Sequence, residues 1–220
     1  DAIIFITSFD PYSDVQRKNP WGTIDAFECG LGTDSRTRLV IKVHVTSTGG
    51  KNHPVIDELH GRCDGNPNIT INSENYSYLD ILSLYASCDV FVSLHRAEGL
   101  GLGPMEAMRL GKPVIATAWS GNMTYMNHTN SCLVGYGLVP VVSNASSYDS
   151  SKLADNAIWA NPIVDNAAAW MRRLVEEPNL RSEIGRRALL DLDDFQVEAR
   201  QGLWIDELKA IWEQRKYNAS

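Results

Sequence analysis

The sequence contains few of the features that mark membrane-spanning, metal-binding or nucleic-acid-binding proteins. Its 220 residues include four cysteines without a C-x-x-C pair and five histidines without an H-x-H pair, so neither residue type suggests a metal site. No stretch approaches the roughly 18 consecutive apolar residues of a membrane-spanning helix. The net charge of −7, without a long run of lysine and arginine, argues against a dedicated nucleic-acid binder.

The bulk composition is that of an ordinary globular protein. Hydrophobic residues make up 44% and charged residues 21% of the chain, and its length predicts a single domain over residues 1–220. The widely spaced cysteines are expected to be reduced and mostly buried thiols. The N-terminus has no signal-peptide pattern, which favours the cytoplasm. Because the chain begins directly on a strand-like run at 2–6, we expect it to be a fragment of a longer protein.

Short apolar runs alternate with segments of helical period, which predicts an α/β fold with a Rossmann-like parallel sheet flanked by helices. The predicted strands are 2–7, 38–46, 68–71, 89–94, 113–117 and 131–134. The predicted helices between them are 20–29, 53–62, 77–87, 104–110 and 120–127. Ligands of such sheets bind outside the carboxyl ends of the strands. The loops expected there are 8–19, 72–77, 95–103 and 118–122.

The last third of the chain departs from this alternation. Residues 135–161 are rich in Gly, Ser, Asn and Tyr, so we expect an irregular surface segment around a short strand at Val139–Val142. Three further helices are predicted, near 165–176, 179–190 and 194–214. The last one carries an apolar stripe that fits either core packing or contact with a second domain. The stripe consists of Ile205, Leu208, Ile211 and Trp212.

A glycine-rich turn at residues 98–106 is the most informative feature of the chain. Pro104 suits the first position of a helix, where a missing N–H group costs nothing. Gly99, Gly101 and Gly103 leave the preceding backbone accessible to a ligand. Exposed amides at the positive end of a helix macrodipole form a site for an anion such as a phosphate.

Two carboxylates flank this turn. Glu98 is expected on the loop and Glu106 in the first turn of the helix, where both can accept hydrogen bonds from hydroxyls. A ligand that carries phosphate groups next to hydroxyls is typically a sugar nucleotide. The alternative is a plain glycine loop before a helix that carries acidic residues in its first turn. A dinucleotide-binding fingerprint fits less well, because Pro104 stands where its third glycine is required.

Four segments in this order resemble the C-terminal, nucleotide-sugar-binding half of a GT-B glycosyltransferase, specifically the retaining family 4 enzymes. Glu98 and Glu106 reproduce the E-x7-E signature of that family, and the resemblance extends over nearly the whole chain. E-x7-E alone is a weak signal, whereas the four segments together are a strong one. The segments are 17–20, 84–95, 98–108 and 111–117, and residues 120–122 extend the last of them.

The resemblance implies a role for each matching residue. Glu106 would bind the ribose hydroxyls, and Lys18 would pair with the diphosphate of the donor. Ser73 and Glu74 match the loop whose backbone reads the base. Glu98 and the following amides would hold the transferred sugar and the diphosphate. Those amides belong to Gly99, Leu100, Gly101 and Leu102.

This sequence departs from the family pattern after the first strand. The family often has Gly-Arg there, and the arginine is a second diphosphate ligand, whereas this chain has residues Ser-Phe-Asp at 8–10. Arg17 or the hydroxyl of Ser13 is expected to fill that role. Leu100 replaces a common phenylalanine, which is a mild packing change. His95 follows a predicted strand and either contacts the donor sugar or is packed within the protein.

The resemblance implies a retaining, metal-independent hexosyltransferase that needs no cofactor and uses a GDP-, UDP- or dTDP-linked donor, with GDP-mannose favoured. The expected reaction is front-face attack on the donor, with Glu98 positioning the sugar. A glycan or lipid-linked acceptor would bind a missing N-terminal domain, so this chain alone is expected to be inactive. The resemblance also allows peripheral association of the full enzyme with the inner face of a membrane. The alternatives are a non-catalytic nucleotide-sugar-binding or scaffold module and a sugar-nucleotide epimerase of the same architecture.

Overall fold

A six-stranded parallel sheet forms the centre of the protein in the computed structural model, which describes residues 2–45, 53–143 and 156–200. The strand order is β3-β2-β1-β4-β5-β6, and every neighbouring pair is parallel. The order reverses between β1 and β4, which is where open sheets of this kind form a crevice for ligands. The strands are β1 (Ile3–Phe9), β2 (Thr37–Val43), β3 (Ile69–Asn72), β4 (Val90–Ser93), β5 (Val114–Thr117) and β6 (Cys132–Val134).

Helices cover both faces of this sheet, as the alternating pattern predicts. Along β1, Phe5 faces a core formed with α2, α3 and α6, while Ile6 faces a core formed with α4, α5 and part of α7. This alternation is the two-residue period of a strand that is buried on both faces. The helices are α1 (Val15–Lys18), α2 (Pro20–Gly30), α3 (Pro54–Cys63), α4 (Tyr78–Ser87), α5 (Leu102–Arg109), α6 (Val164–Glu176) and α7 (Pro178–Arg200).

Local sequence fixes several of these boundaries. Pro20 and Pro54 occupy the first positions of α2 and α3, where proline is favoured. Ser77 and Asp80 form a reciprocal capping box at the start of α4. The predicted α/β class is confirmed, and each of the six predicted strands matches an observed one to within three residues at either end.

The segment after the sheet contains more order than we predicted. Instead of one short strand at Val139–Val142, it forms an antiparallel hairpin of β7 (Tyr136–Pro140) and β8 (Ile158–Pro162). The second strand was missed because Asn161 and Pro162 interrupt its apolar pattern. The hairpin is tied to the loop after β4 by a hydrogen bond from the Ala160 amide to the Arg96 carbonyl, 2.9 Å long.

Three predicted helices differ from the observed ones. A single helix α7 runs through the gap that we placed between 179–190 and 194–214, because the Asp-Leu-Asp sequence of that gap contains no helix breaker. The predicted helix at 120–127 is only a 3-10 turn at Gly121–Thr124, since Ser120 has a positive φ of 74°. The apolar stripe that we predicted beyond residue 200 lies outside the described residues.

The four cysteines are free thiols that differ in their exposure. Cys63, Cys88 and Cys132 are buried free thiols, and Cys29 is an exposed one. Burial raises the pKa of Cys88 to about 12, so this thiol is unreactive at neutral pH. Within the described ranges, no helix has both the length and the apolar character needed to cross a membrane.

Candidate functional site

A cavity of about 400 Å³ opens at the carboxyl edge of the sheet, where the strand order reverses. Its walls come from the end of β1, the end of α1, the loop after β3 and the first turns of α4 and α5. Polar groups from all of these elements face it. They include Ser8, Lys18, Tyr78, Glu98 and Glu106. The structure therefore brings the three predicted key side chains, Lys18, Glu98 and Glu106, around one cavity.

The N-terminus of α5 forms one wall of this cavity. The helix begins at Leu102, two residues before the predicted start at Pro104, because Gly101 adopts a left-handed conformation with φ 79° and acts as the N-cap. Gly101 has no side chain that could cap the helix, so the amides of Leu102 and Gly103 stay available to a ligand. A Cβ atom on Gly103 would lie 3.2 Å from the Phe91 ring, which explains the need for glycine there.

Three charged side chains form a compact cluster beside this helix end. Lys18 Nζ donates a hydrogen bond to Glu98 Oε1, and Arg17 Nη1 lies 3.1 Å from Glu98 Oε2. The Glu98 side chain is only 10% exposed. Burial by itself would raise the pKa of Glu98, but the Lys18 and Arg17 cations outweigh burial and lower that pKa below its ordinary value of 4.5. Glu98 is thus held as a carboxylate at the mouth of the cavity.

This ion pair predicts a pH dependence of folding stability. Because the pKa of Glu98 is lower in the folded than in the unfolded chain, its contribution is complete above about pH 4.5 and is lost as the pH falls through the folded-state value. Glu98→Gln should cost about 3 kcal/mol or less at pH 7, as expected for a paired, mostly buried charge. Urea unfolding of both proteins between pH 7 and pH 3 should show this difference shrinking at low pH. A difference that is constant across the range would contradict the ion pair.

Glu106 also lines the cavity, from the second turn of α5. We expected it in the first turn, and the earlier start of the helix accounts for the difference. The hydroxyl of Tyr78, at the start of α4, donates a hydrogen bond of 3.0 Å to Glu106 Oε1. Burial raises the pKa of Glu106, and the hydrogen bond from Tyr78 partly offsets this effect. Tyr78 was not anticipated, since nothing in the sequence links it to a glutamate 28 positions away.

His95 does not line the cavity but is fully buried behind it. Its Nδ1 lies 3.0 Å from Ser93 Oγ, and its Nε2 lies 3.2 Å from the Trp119 carbonyl and 3.1 Å from Asn122 Oδ1. Two acceptors at Nε2 place the proton on that nitrogen. Burial lowers the pKa of His95, so the ring is neutral. Of our two interpretations, the structure shows the packed histidine.

The expected second diphosphate ligands point elsewhere. Arg17 donates to the carbonyls of Ser13 and Ala97, so its guanidinium fastens α1 to the loop after β4. The Ser13 hydroxyl donates to the Asp10 carbonyl. Neither residue lines the cavity. Arg17 approaches the cavity only through its ion pair with Glu98, and the role we expected for Arg17 or Ser13 stays a prediction.

The remaining predicted residues surround the cavity without lining it. Gly99 and Leu100 form the exposed tip of the loop before α5. Ser73 and Glu74 follow β3, and the Glu74 amide donates to Asn72 Oδ1 at 3.2 Å. Each of the four shares a loop with a lining residue: Gly99 and Leu100 stand between Glu98 and Gly101, and Ser73 and Glu74 precede Tyr76.

Lys42 fixes that loop after β3 and was missed by the sequence analysis. Its side chain is 1% exposed, and its Nζ donates to the carbonyls of Val43 at 3.0 Å and Glu74 at 2.5 Å. The ammonium group also lies 4.7 Å from the ring centre of Tyr76, which lines the cavity. Burial lowers the pKa of Lys42. In sequence it reads as an ordinary polar position of a strand.

The tripeptide 120–122 holds the loop that carries Glu98. Ser120 Oγ accepts a hydrogen bond of 2.8 Å from the Glu98 amide, and the Gly121 amide donates to the Glu98 carbonyl at 3.1 Å. Gly121 packs so closely that a Cβ atom there would overlap the Gly99 carbonyl. Asn122 bonds to His95, as described above. In the sequence these residues only extend the family pattern. In the structure each of them contacts the loop that carries Glu98 or His95 next to it.

The cavity combines groups that can donate to an anion with carboxylates that can accept hydrogen bonds. The helix start at Leu102 and Gly103 and the Lys18 side chain line the same space as Asp10, Glu98 and Glu106. Within the described part of the chain, no group of three or more His, Cys, Asp or Glu side chains is arranged to hold a metal ion.

Comparison with solved structures places the fold among glycosyltransferases. The Anabaena protein HepE, in complex with UDP-glucose, is 17% identical with a TM-score of 0.61, and the match covers 88% of this chain and 44% of HepE. Sucrose-phosphate synthase from Thermosynechococcus elongatus is 17% identical with a TM-score of 0.65, and the match covers 100% of this chain and 47% of the synthase. This chain thus spans less than half of either protein.

A third structure matches over a similar extent on both sides. It is the C-terminal domain of LpcC, a glycosyl transferase group 1 family protein from Francisella tularensis, at 17% identity and a TM-score of 0.59. The match covers 88% of this chain and 85% of that domain. A search of curated proteins found no match. The family model described as "Glycosyl transferases group 1" matches residues 16–148, more than half of the sequence. The chain therefore belongs to the glycosyl transferases group 1 family.

Proposed function

We propose that this chain is the donor-binding part of a retaining glycosyltransferase, and that the cavity at the start of α5 holds the nucleoside diphosphate of a sugar nucleotide. The convergence of Lys18, Glu98 and Glu106 on one cavity, beside an uncapped helix N-terminus, is the observation that carries this proposal. The UDP-glucose complex of HepE supports it, because that protein shares the fold.

The diphosphate fits between the amides of Leu102 and Gly103 and the ammonium group of Lys18. Helix N-termini bind phosphate through such amides together with the macrodipole. When the glycosidic bond breaks, negative charge develops on the leaving diphosphate. A fixed cation and fixed amides stabilise that charge without a metal ion. In the free protein Lys18 is paired with Glu98, so the diphosphate has to share or displace this contact.

Glu106 is proposed to accept hydrogen bonds from the ribose hydroxyls. It lines the same cavity as Lys18, and its second oxygen atom, Oε2, can accept a hydrogen bond while Oε1 keeps its contact with Tyr78. Glu98 is proposed to position the transferred sugar for front-face attack. Its lowered pKa keeps it an acceptor for sugar hydroxyls at neutral pH.

The identities of base, sugar and acceptor rest on the family resemblance. We propose a GDP-, UDP- or dTDP-linked hexose, with mannose favoured, and a base read by the backbone at Ser73 and Glu74. The acceptor would be a glycan or a lipid-linked sugar bound by an N-terminal domain. The full enzyme would then act in the cytoplasm, at the inner face of a membrane, and this chain alone would bind nucleotide without transferring sugar.

Calorimetric titration of the chain with UDP, GDP and dTDP tests the proposal. We expect one of the three to bind at least ten-fold more tightly than the other two, and Glu106→Gln to weaken that nucleotide at least five-fold through the lost charged acceptor. Glu58→Gln, on the exposed face of α3, is the matched control and should bind like the parent. A folded protein that binds none of the three nucleotides would contradict the proposal.

Lys42→Met should separate nucleotide binding from stability. The Glu74 carbonyl would lose a charged donor, a contact worth about 1.5–3 kcal/mol, so nucleotide affinity should fall at least three-fold as the loop after β3 loosens. Stability should change little, because removing a desolvated cation offsets the lost hydrogen bonds. Lys112→Met, at the opposite edge of the sheet, should leave both quantities unchanged. Unchanged affinity in Lys42→Met would exclude this role for the loop.

A further inference from the structure

A second cavity, of about 430 Å³, lies on the other side of α1 from the donor cavity. The two cavities share one partition, since Lys18 of α1 faces the first and Gln16 of α1 faces the second. Its other walls come from β8, from the end of β7 with the residues that follow it, and from Arg96. The volume is within the range of roughly 300–1,000 Å³ that is typical of small-molecule sites.

Arg96 is the unusual group in this cavity. It makes no ion pair with any residue that the structure describes, and its Nε atom is buried without a hydrogen-bond partner. Burial lowers the pKa of Arg96, which is the expected effect on a cation that is taken from water without a counter-charge. Buried polar groups in folded proteins are nearly always paired, so an orphaned guanidinium nitrogen indicates a missing partner.

The position of Arg96 is fixed on both sides. Its amide donates to the Arg17 carbonyl at 2.8 Å, and its carbonyl accepts from the Ala160 amide at 2.9 Å. The guanidinium carbon lies 5.6 Å from the ring centre of Trp159, which supports the group from below. A guanidinium held in this way is pre-organised for two parallel hydrogen bonds to a carboxylate or phosphate.

The rest of the cavity suits an organic body attached to that anion. Val139, Pro140 and Val142 provide an apolar wall, and the Gln16 amide offers both a donor and an acceptor for hydroxyls. Arg96 precedes Glu98 by two residues on the same loop, so this loop contributes a residue to each of the two cavities.

We propose that this second cavity binds an anionic sugar, whose carboxylate or phosphate pairs with Arg96. Its assignment as this chain's share of an acceptor site, completed by the N-terminal domain, rests on the proposed function, whereas the binding site itself does not. A transferase that uses it would take acceptors with an acidic residue at or near the growing end.

Titration calorimetry with glucuronate, glucose 6-phosphate and glucose tests the site directly. Glucuronate or glucose 6-phosphate should bind at least ten-fold more tightly than glucose, and the tighter of the two identifies the anion as carboxylate or phosphate. Arg96→Met should weaken that ligand at least ten-fold, and Arg96→Lys at least three-fold, since lysine cannot form the paired hydrogen bonds. Binding of glucose as tightly as the anionic sugars, or affinity within two-fold of the parent in Arg96→Met, would overturn the proposal.

Two controls separate this site from the donor cavity and from a structural role. Lys18→Met should bind the anionic sugar as the parent does, and a loss there instead would move the anion to the first cavity and overturn the proposal. The thermal midpoint of Arg96→Met should not fall, because the methionine stem can still pack on Trp159 and the guanidinium has no ion-pair partner among the described residues. If UDP, GDP and dTDP all fail to bind while sugar binding still depends on Arg96, the donor assignment is wrong and the second site stands. If a nucleotide binds but no anionic sugar does, the second site is wrong and the donor assignment stands.

Discussion

Gly121→Ala is expected to weaken nucleotide binding more than ten-fold and to lower the stability of the protein. A Cβ atom at this position would overlap the carbonyl oxygen of Gly99 and lie 3.1 Å from that of Glu98, and both of these atoms belong to backbone. Backbone cannot rotate away as a side chain can, so the loop that carries Glu98 has to move. Overpacking of this kind costs about 1–3 kcal/mol, and it would also break the hydrogen bond from the Gly121 amide to the Glu98 carbonyl.

Two glycines provide matched controls for this variant. Gly61→Ala, in α3, meets nothing within 4 Å and replaces a glycine in a helix, so stability should rise by about 0.5–1 kcal/mol. Gly99→Ala places the methyl group on the residue whose carbonyl Gly121 approaches. A Cβ atom at Gly99 meets nothing within 4 Å, so this variant should leave stability unchanged. Urea unfolding and nucleotide titration of all three variants give the comparison. A Gly121→Ala protein that behaves like the two controls would show that the close approach does not hold the loop.

Lys18→Met is expected to weaken nucleoside diphosphate binding about 10- to 100-fold, since a charged hydrogen bond contributes about 1.5–3 kcal/mol. The loss should be largest for the diphosphate and small for the corresponding nucleoside, which lacks the charge that Lys18 pairs with. Methionine keeps the length and apolar character of the lysine stem, so the packing of α1 is preserved. Titrations of the parent and the variant with UDP and uridine, or with GDP and guanosine, measure this difference.

Glu98→Gln should have the opposite effect on the free diphosphate. The variant releases Lys18 and Arg17 from their carboxylate partner, so UDP or GDP should bind about three-fold more tightly, in line with the energy of a partly exposed ion pair. The sugar nucleotide should gain less, because the acceptor for its sugar hydroxyls is weakened. Equal losses in the Lys18 and Glu98 variants would contradict a competition between the diphosphate and Glu98 for Lys18.

Much of the fold could be predicted because its strands are buried on both faces. The centres of two predicted strands, 90–92 and 114–116, are apolar without alternation, as expected for strands of a parallel sheet that is covered on both faces. The hairpin of β7 and β8 escaped prediction because it is half exposed and rich in residues that disfavour strands. Its pairing is set by contacts with the loop after β4, which local pattern does not encode.

The site could be predicted only where backbone geometry dictates sequence. The turn at 98–106 can be recognised from its glycines, because Gly101 has a positive φ and a Cβ atom at Gly103 would press against the Phe91 ring. Tyr78 and Lys42 reach the site from α4 and β2, and their partners are 28 and 32 positions away. Such contacts arise from the packing of distant elements and leave no periodic signal.

Arg17 and His95 illustrate the same limit. Both lie at the carboxyl edge of the sheet, so sequence alone favoured contact with a ligand. In the structure, Arg17 donates to backbone carbonyls and pairs with Glu98, and His95 is enclosed by Ser93, Trp119 and Asn122. Their contribution is to hold the loop that presents Glu98, and this role depends on burial that a sequence does not show.

A crystal of this chain soaked with the nucleoside diphosphate that binds most tightly tests the central claim directly. We predict that the phosphates lie against the amides of Leu102 and Gly103, with Lys18 Nζ in hydrogen-bond contact and the ribose hydroxyls at Glu106. Phosphates found in the cavity beside Arg96, or anywhere away from the first turn of α5, would contradict it.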